Sequence, residues 1–171
     1  LVRLPILLDR VIELHAPELE TRGAVVVREY ARDVPPIQAD EEVLYQAFVN
    51  VVSNAVEAMG PGGRLTLRLG WHEGTELRAG RSRLFNRRVR IEVSDTGAGI
   101  APADAERVFN PFFTTRDGGT GLGLALTHKI VDDHSGTIDF HSRPGVGTTF
   151  RITLPVAAEP SAEYPPDAGG R

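Results

Sequence analysis

The sequence predicts an α/β sandwich: one mixed sheet with about three helices over one face. Three observations carry that expectation. Apolar spacing alternates between helical and strand periods in the order helix, strand, helix, strand, strand, helix, strand, strand. The later strands are joined by short turns, which implies antiparallel pairs. Of 171 residues, 41% are hydrophobic and 25% charged, the balance of a globular domain long enough to bury a sizeable core.

Residues 5–21 read as an amphipathic helix, with Ile6, Leu7, Val11, Leu14 and Leu19 at helical spacing, Pro5 in the first turn and Gly23 as the stop. Residues 24–30 are rich in β-branched side chains and read as a strand; 33–36 form a turn, and 37–39 a short strand. Asp40 is an N-cap candidate ahead of Glu41 and Glu42, and the helix it opens runs to about Met59 with Leu44, Phe48, Val51 and Ala55 on one apolar face. Gly60 to Gly63 ends it. Leu65, Leu67 and Leu69 alternate in a strand over 64–70, and 89–94 alternate again. Between them, 71–88 reads as a long hairpin connection. A glycine-rich segment leads into a helix from about Gly121 to His134, and two last strands near 137–142 and 147–154 flank a Pro144-Gly145 turn. The domain is expected to span 1–155, with 156–171 a disordered tail.

Composition excludes several chemistries. Basic residues number 19 and acidic ones 23, a net charge of −4 that disfavours a general nucleic-acid binder. The absence of cysteine excludes disulfides, thiolate metal sites and thiol catalysis. No apolar run approaches the roughly 20 residues that span a bilayer. The chain begins with Leu1 and carries no signal peptide, so it reads as a piece of something longer.

Three polar features stand out. Asn50, Asn54 and Glu57 share one face of the central helix, with Gln46 one turn earlier. Asparagine is a mediocre helix former, so this stripe is either a solvated face or a binding face. Asp95-Thr96-Gly97-Ala98-Gly99-Ile100 follows a strand; it is either an ordinary exit turn or a place where a ligand approaches the backbone beside a carboxylate. Asp117-Gly118-Gly119-Thr120-Gly121-Leu122-Gly123-Leu124 runs into a helix start, where backbone N–H groups favour phosphate, although it is neither a Walker loop nor a dinucleotide fingerprint.

Together these segments resemble the ATP-binding catalytic domain of two-component histidine kinases, within the Bergerat-fold (GHKL) superfamily. Residues 45–59 (YQAFVNVVSNAVEAM) resemble its N box, 95–100 (DTGAGI) its G1 box, 108–116 (VFNPFFTTR) its F box, 118–124 (GGTGLGL) its G2 box and 145–155 its final strand. Within the family, NAVEAM, FNPFFTTR, TGLGLALTHKIVDDHSG and the long hairpin are most similar to nitrogen-regulatory sensor kinases. The resemblance implies a Bergerat-type sheet with a mobile lid, ATP and Mg²⁺ as cofactors, and transfer of the γ-phosphate to a histidine.

By the same resemblance, Asn54 would hold Mg²⁺ through its side-chain oxygen, and Asn50 would assist or contact phosphate. Glu57 and Ala58 would lie near the nucleotide. Asp95 would bind the adenine amino group, with Gly97 and Gly99 letting the chain pass close to the base. Arg116 would reach the phosphates, and Gly119, Gly121 and Gly123 would cradle them. Thr148 or Thr149 would contact adenine, with Thr149 placed in the site; Ile100, Thr115, Thr120, Leu122 and Leu124 complete the set. Asn50 stands where gyrase-type relatives carry a water-activating glutamate, and an amide is no base at neutral pH. Slow direct hydrolysis is therefore expected.

The chain leaves no room for the phosphoacceptor hairpin: His15 lies only about 35 residues before the N box, and His72, His128, His134 and His141 read as ordinary imidazoles. The acceptor domain, any sensor and the response-regulator receiver would therefore lie elsewhere. The fragment is expected to be cytoplasmic and monomeric, to bind ATP without labelling itself, and to touch neither nucleic acid nor membrane. Two other readings fit the same residues: a stand-alone GHKL ATPase, and a non-catalytic interaction module using the arginine-rich hairpin 71–88. Residues 64–90 hold eight arginines against Glu73 and Glu76, a run that also fits a solvated hairpin.

Overall fold

A computed structural model describes residues 1–76, 84–115 and 118–156. The chain order is α1 (Leu4–Thr21), β1 (Val25–Tyr30), α2 (Glu41–Ala58), β2 (Arg64–Glu76), β3 (Leu84–Asp95), a 3₁₀ helix (Pro102–Arg107), α3 (Gly123–Asp133), β4 (Thr137–Arg143) and β5 (Gly147–Pro155). The five strands form one sheet in the order β1-β2-β3-β5-β4. β1 and β2, separated by α2, run parallel; the other pairs are antiparallel. The predicted mixed α/β architecture is what the chain adopts.

Local chemistry explains the main elements. Asp40 caps α2, its carboxylate accepting from the N–H groups of Glu42 and Val43. The apolar face of α2, including the fully buried Phe48, packs on Leu65, Leu67, Leu69, Ile91, Val93, Ile152 and Leu154 of the sheet, with α1 and α3 beside it in the same core. The expected short strand at 37–39 is a single bridge: Val2 and Ile37 exchange N–H···O bonds of 2.8 and 3.0 Å.

The open face of the sheet is polar. Register aligns Glu29, Arg68, Glu92, Arg151 and Asp139 in one row across all five strands. Arg68 pairs with Glu29 at 2.5 Å, and Arg151 with Glu92 at 3.1 Å and Asp139 at 3.2 Å. Such exposed pairs contribute little each, but alternating signs let charged residues sit directly opposite one another.

The region expected as a connection is largely strand. β2 extends to Glu76 and β3 begins at Leu84, with pairing from Trp71↔Val89 out to Glu76↔Leu84. Residues 77–83 lie outside the described residues, as do Arg116, Asp117 and, of the expected tail 156–171, all but Val156. Val156 belongs to the folded body, its N–H donating to the Arg87 carbonyl at 2.9 Å. Among the described residues no helix is long and apolar enough to cross a membrane.

Candidate functional site

One face of α2 forms the wall of a cleft of about 680 Å³. Asn50, Ser53, Asn54, Glu57 and Ala58 line it from the helix; Asp95 and residues 98–101 line it from the end of β3; residues 113–115, 119–121, 123 and 124 close the far side. Thr148 and Phe150 of β5 complete it. The stripe read as either solvated or functional thus faces the cleft, except Gln46, which is exposed beyond it.

Asp95 is only 7% exposed. Its Oδ1 accepts from the Gly97 N–H at 2.8 Å and the Thr148 N–H at 3.4 Å. These two bonds orient the carboxylate. The support continues outward. Ser142 Oγ donates to the Gly147 carbonyl at 3.1 Å, so its 2.8 Å bond with Thr148 Oγ1 takes the threonine proton, and the Ile100 N–H donates to the same serine at 2.8 Å. Strand end, loop and β5 therefore hold one buried carboxylate in one orientation.

Asn50 has a structural partner. Its Nδ2 donates to the Gly123 carbonyl at 3.2 Å, and the fully buried Thr127 hydroxyl donates to the same oxygen at 2.9 Å. These bonds pin the start of α3 against α2. Leu122, at the N-cap of α3, supplies no side-chain cap to the first turn, where leading N–H groups lack partners within the helix. Gly121, at φ +66°, makes the turn into it, where an added Cβ would meet the Phe112 carbonyl carbon at 2.4 Å.

Most of the implied site residues converge: Asn50, Asn54, Glu57, Ala58, Asp95, Gly99, Ile100, Thr115, Gly119, Thr120, Gly121, Gly123 and Leu124 all line the cleft. Gly97 does not; it supports from behind, its backbone against the Ala58 carbonyl. Leu122 is 42% exposed and turns away from the cleft. Of the two adjacent threonines, Thr148 lines the cleft, whereas Thr149 lies on the opposite face of the sheet and bonds Ser94 Oγ at 2.8 Å. Placing Thr149 in the site is thus corrected by strand alternation. Ser53, Ala98, Ala101, Asp104, Val108, Phe113, Thr114 and Phe150 line the cleft without having been anticipated. Among the described residues, no cluster of three or more His, Asp or Glu side chains could cage a metal. The oxygens of Asn50, Ser53, Asn54 and Glu57 suit a hard cation that takes its remaining ligands from water and phosphate.

Comparisons with known proteins bear on the family and the fold. The chain is 38% identical over 149 residues to the sensory histidine kinase/phosphatase NtrB of Salmonella typhimurium, covering 86% of this chain and 41% of that protein. It therefore spans about two fifths of that relative's length. The nucleotide-free catalytic domain of histidine kinase ThkA superposes with a TM-score of 0.74 at 28% identity, covering 90% of this chain and 93% of that one. Full-length ShkA in complex with AMPPNP gives a TM-score of 0.74 at 30% identity, covering 93% of this chain and 32% of that one. Residues 39–158 match the family of histidine kinase-, DNA gyrase B- and HSP90-like ATPases, and the chain belongs to that family, with the fold of histidine kinase catalytic domains.

Proposed function

We propose that this chain binds Mg²⁺–ATP in the α2 cleft and donates the γ-phosphate to a histidine on a separate dimerisation and phosphoacceptor domain. A response-regulator receiver would take the phosphate in the following step. The observation that carries this reading is the convergence on one cleft of the α2 polar face, a buried oriented carboxylate and an uncapped helix start. Full-length ShkA, similar in fold, is known in complex with AMPPNP. The similarity to NtrB supports a nitrogen-regulatory parent, and a domain of this kind works in the cytoplasm, where ATP is held.

The roles follow from chemistry. Asp95 accepts from the exocyclic amine of adenine, while Gly97 fixes the loop behind it. Asn54 offers an amide oxygen to Mg²⁺, with Asn50 and Glu57 on the same face. When bound, the cation neutralises charge on the phosphates. Residues 119–121 and the N-terminus of α3 present N–H groups to phosphate oxygens, and Arg116 is proposed to join them. The γ-phosphorus–oxygen bond to ADP breaks as a bond to an imidazole nitrogen forms, and the domain contributes positioning and electrostatics. Asn50 supplies no base for water, and its amide nitrogen is committed to Gly123, so hydrolysis is expected to be slow.

Calorimetric titration with ATP and ADP, with and without Mg²⁺, tests the reading. Saturable Mg²⁺-sensitive binding with negligible phosphate release is expected, and Asn54→Ala should lower the Mg²⁺-dependent affinity roughly tenfold or more. Steady phosphate release without a histidine partner would point to a stand-alone ATPase. Unchanged affinity in Asn54→Ala would remove that residue from the site.

A further inference from the structure

Helix α1 lies outside the family-matched stretch 39–158, yet it sends one polar side chain into the body of the domain. His15 is buried, with Nδ1 2.8 Å from the Val11 carbonyl oxygen and Nε2 2.8 Å from Ser53 Oγ. A carbonyl oxygen only accepts, so Nδ1 carries the imidazole proton. In the neutral ring Nε2 is then a bare acceptor, and the Ser53 hydroxyl donates to it.

The consequence appears at the other end of that bond. Ser53 lines the cleft on the same α2 face as Asn50 and Asn54. A serine hydroxyl has one proton and is otherwise free to rotate, either into the cleft or back to a carbonyl of its own helix. With the proton drawn toward α1, the cleft meets only the lone pairs of Ser53 Oγ. That is an acceptor surface one residue before Asn54, suited to the waters of a hydrated cation and unsuited to donating to phosphate.

We propose that His15 is a positioning residue for the nucleotide site: by holding the Ser53 proton, it keeps Ser53 Oγ as an acceptor for the hydrated Mg²⁺ that accompanies nucleotide. This rests on the nucleotide-binding reading above. The role is remote, since the imidazole reaches the cleft only through Ser53.

Two measurements test it. Nitrogen-15 spectra of the nucleotide-free protein should show His15 as the neutral Nδ1–H tautomer; an Nε2–H or doubly protonated ring would overturn the proposal whatever the ligand. A double-mutant cycle then reads Mg²⁺–ADP affinity against ADP in EDTA, with urea unfolding of each variant as the fold control. His15→Asn keeps a donor for Val11 but cannot reach Ser53; His15→Gln places an acceptor oxygen near the Nε2 position. We expect His15→Asn and Ser53→Ala each to weaken Mg²⁺–ADP binding by roughly threefold to tenfold, with the double variant no weaker than Ser53→Ala and His15→Gln within about twofold of wild type. The EDTA titrations should move far less. Additive losses, or a wild-type affinity in His15→Asn, would overturn the positioning role alone. A wild-type protein that binds no nucleotide would overturn the functional reading and this proposal with it.

Discussion

Asp95→Asn is expected to weaken ATP binding by roughly 10- to 100-fold and to narrow the preference for ATP over ITP. The carboxylate is an acceptor on both oxygens. One is occupied by the N–H groups of Gly97 and Thr148, which can only donate. Asparagine must therefore turn its single oxygen toward the backbone and its NH₂ toward the ligand. That places a donor against the adenine amine, where the aspartate placed an acceptor. Hypoxanthine carries a carbonyl at the same position, so the ITP complex loses less or gains. Calorimetry with both nucleotides reads the change directly. An ATP/ITP ratio identical to wild type would show that Asp95 does not face the exocyclic group. The fold should survive, because the Ser142–Thr148–Ile100 bonds remain.

Gly147→Ala should carry the larger cost in stability, roughly 2–5 kcal/mol of unfolding free energy. Gly147 has φ +137°, and an added Cβ would lie 2.0 Å from the Asp95 carbonyl oxygen and 2.9 Å from its carbon. Both are backbone atoms, so no side-chain rotation relieves the clash. The first residue of β5 must move off the end of β3, and Thr148 moves with it. Gly145→Ala separates the two contributions: its φ is +74°, but nothing lies within 4 Å of the added carbon. It should lose only about 1 kcal/mol, from backbone conformation. Urea unfolding followed by circular dichroism gives both values; equal losses would refute a steric role for Gly147.

The elements that sequence predicts well are those with an inside and an outside. The apolar face of α2 repeats with a helical period because it rests on the sheet, and Leu65, Leu67 and Leu69 alternate because one face is buried. The arginine-rich stretch shows no such alternation, and its sequence reads as a connection although β2 and β3 stay paired out to Glu76↔Leu84. The 3₁₀ helix at Pro102–Arg107 has no buried residue and so no periodicity to betray it. The choice between Thr148 and Thr149 was in principle legible: Phe150, Ile152 and Leu154 are buried, and the same alternation extended back puts Thr148 inside. Ser53 is harder. Its spacing from Asn50 puts it on the functional face, but its link to His15 joins residues 38 apart in sequence and needs the α1–α2 packing to be seen.

Strand order has a consequence for how the cleft wall can change over time. β5 lies between β3 and β4, so Ser94 is paired with Thr149 although some fifty residues separate them in the chain. The segment from Thr96 to Leu122, which lines much of the cleft opposite α2, is a long excursion whose ends are fixed elsewhere: the Thr96 N–H bonds the Arg64 carbonyl at 3.2 Å, and Asn50 and Thr127 hold Gly123. Closing a loop costs entropy that rises only logarithmically with its length, about 0.6 kcal/mol for each doubling. Insertions and deletions in this excursion therefore disturb the sheet very little. Length variation can reshape the rim of the cleft while the buried carboxylate and the α2 face stay in place.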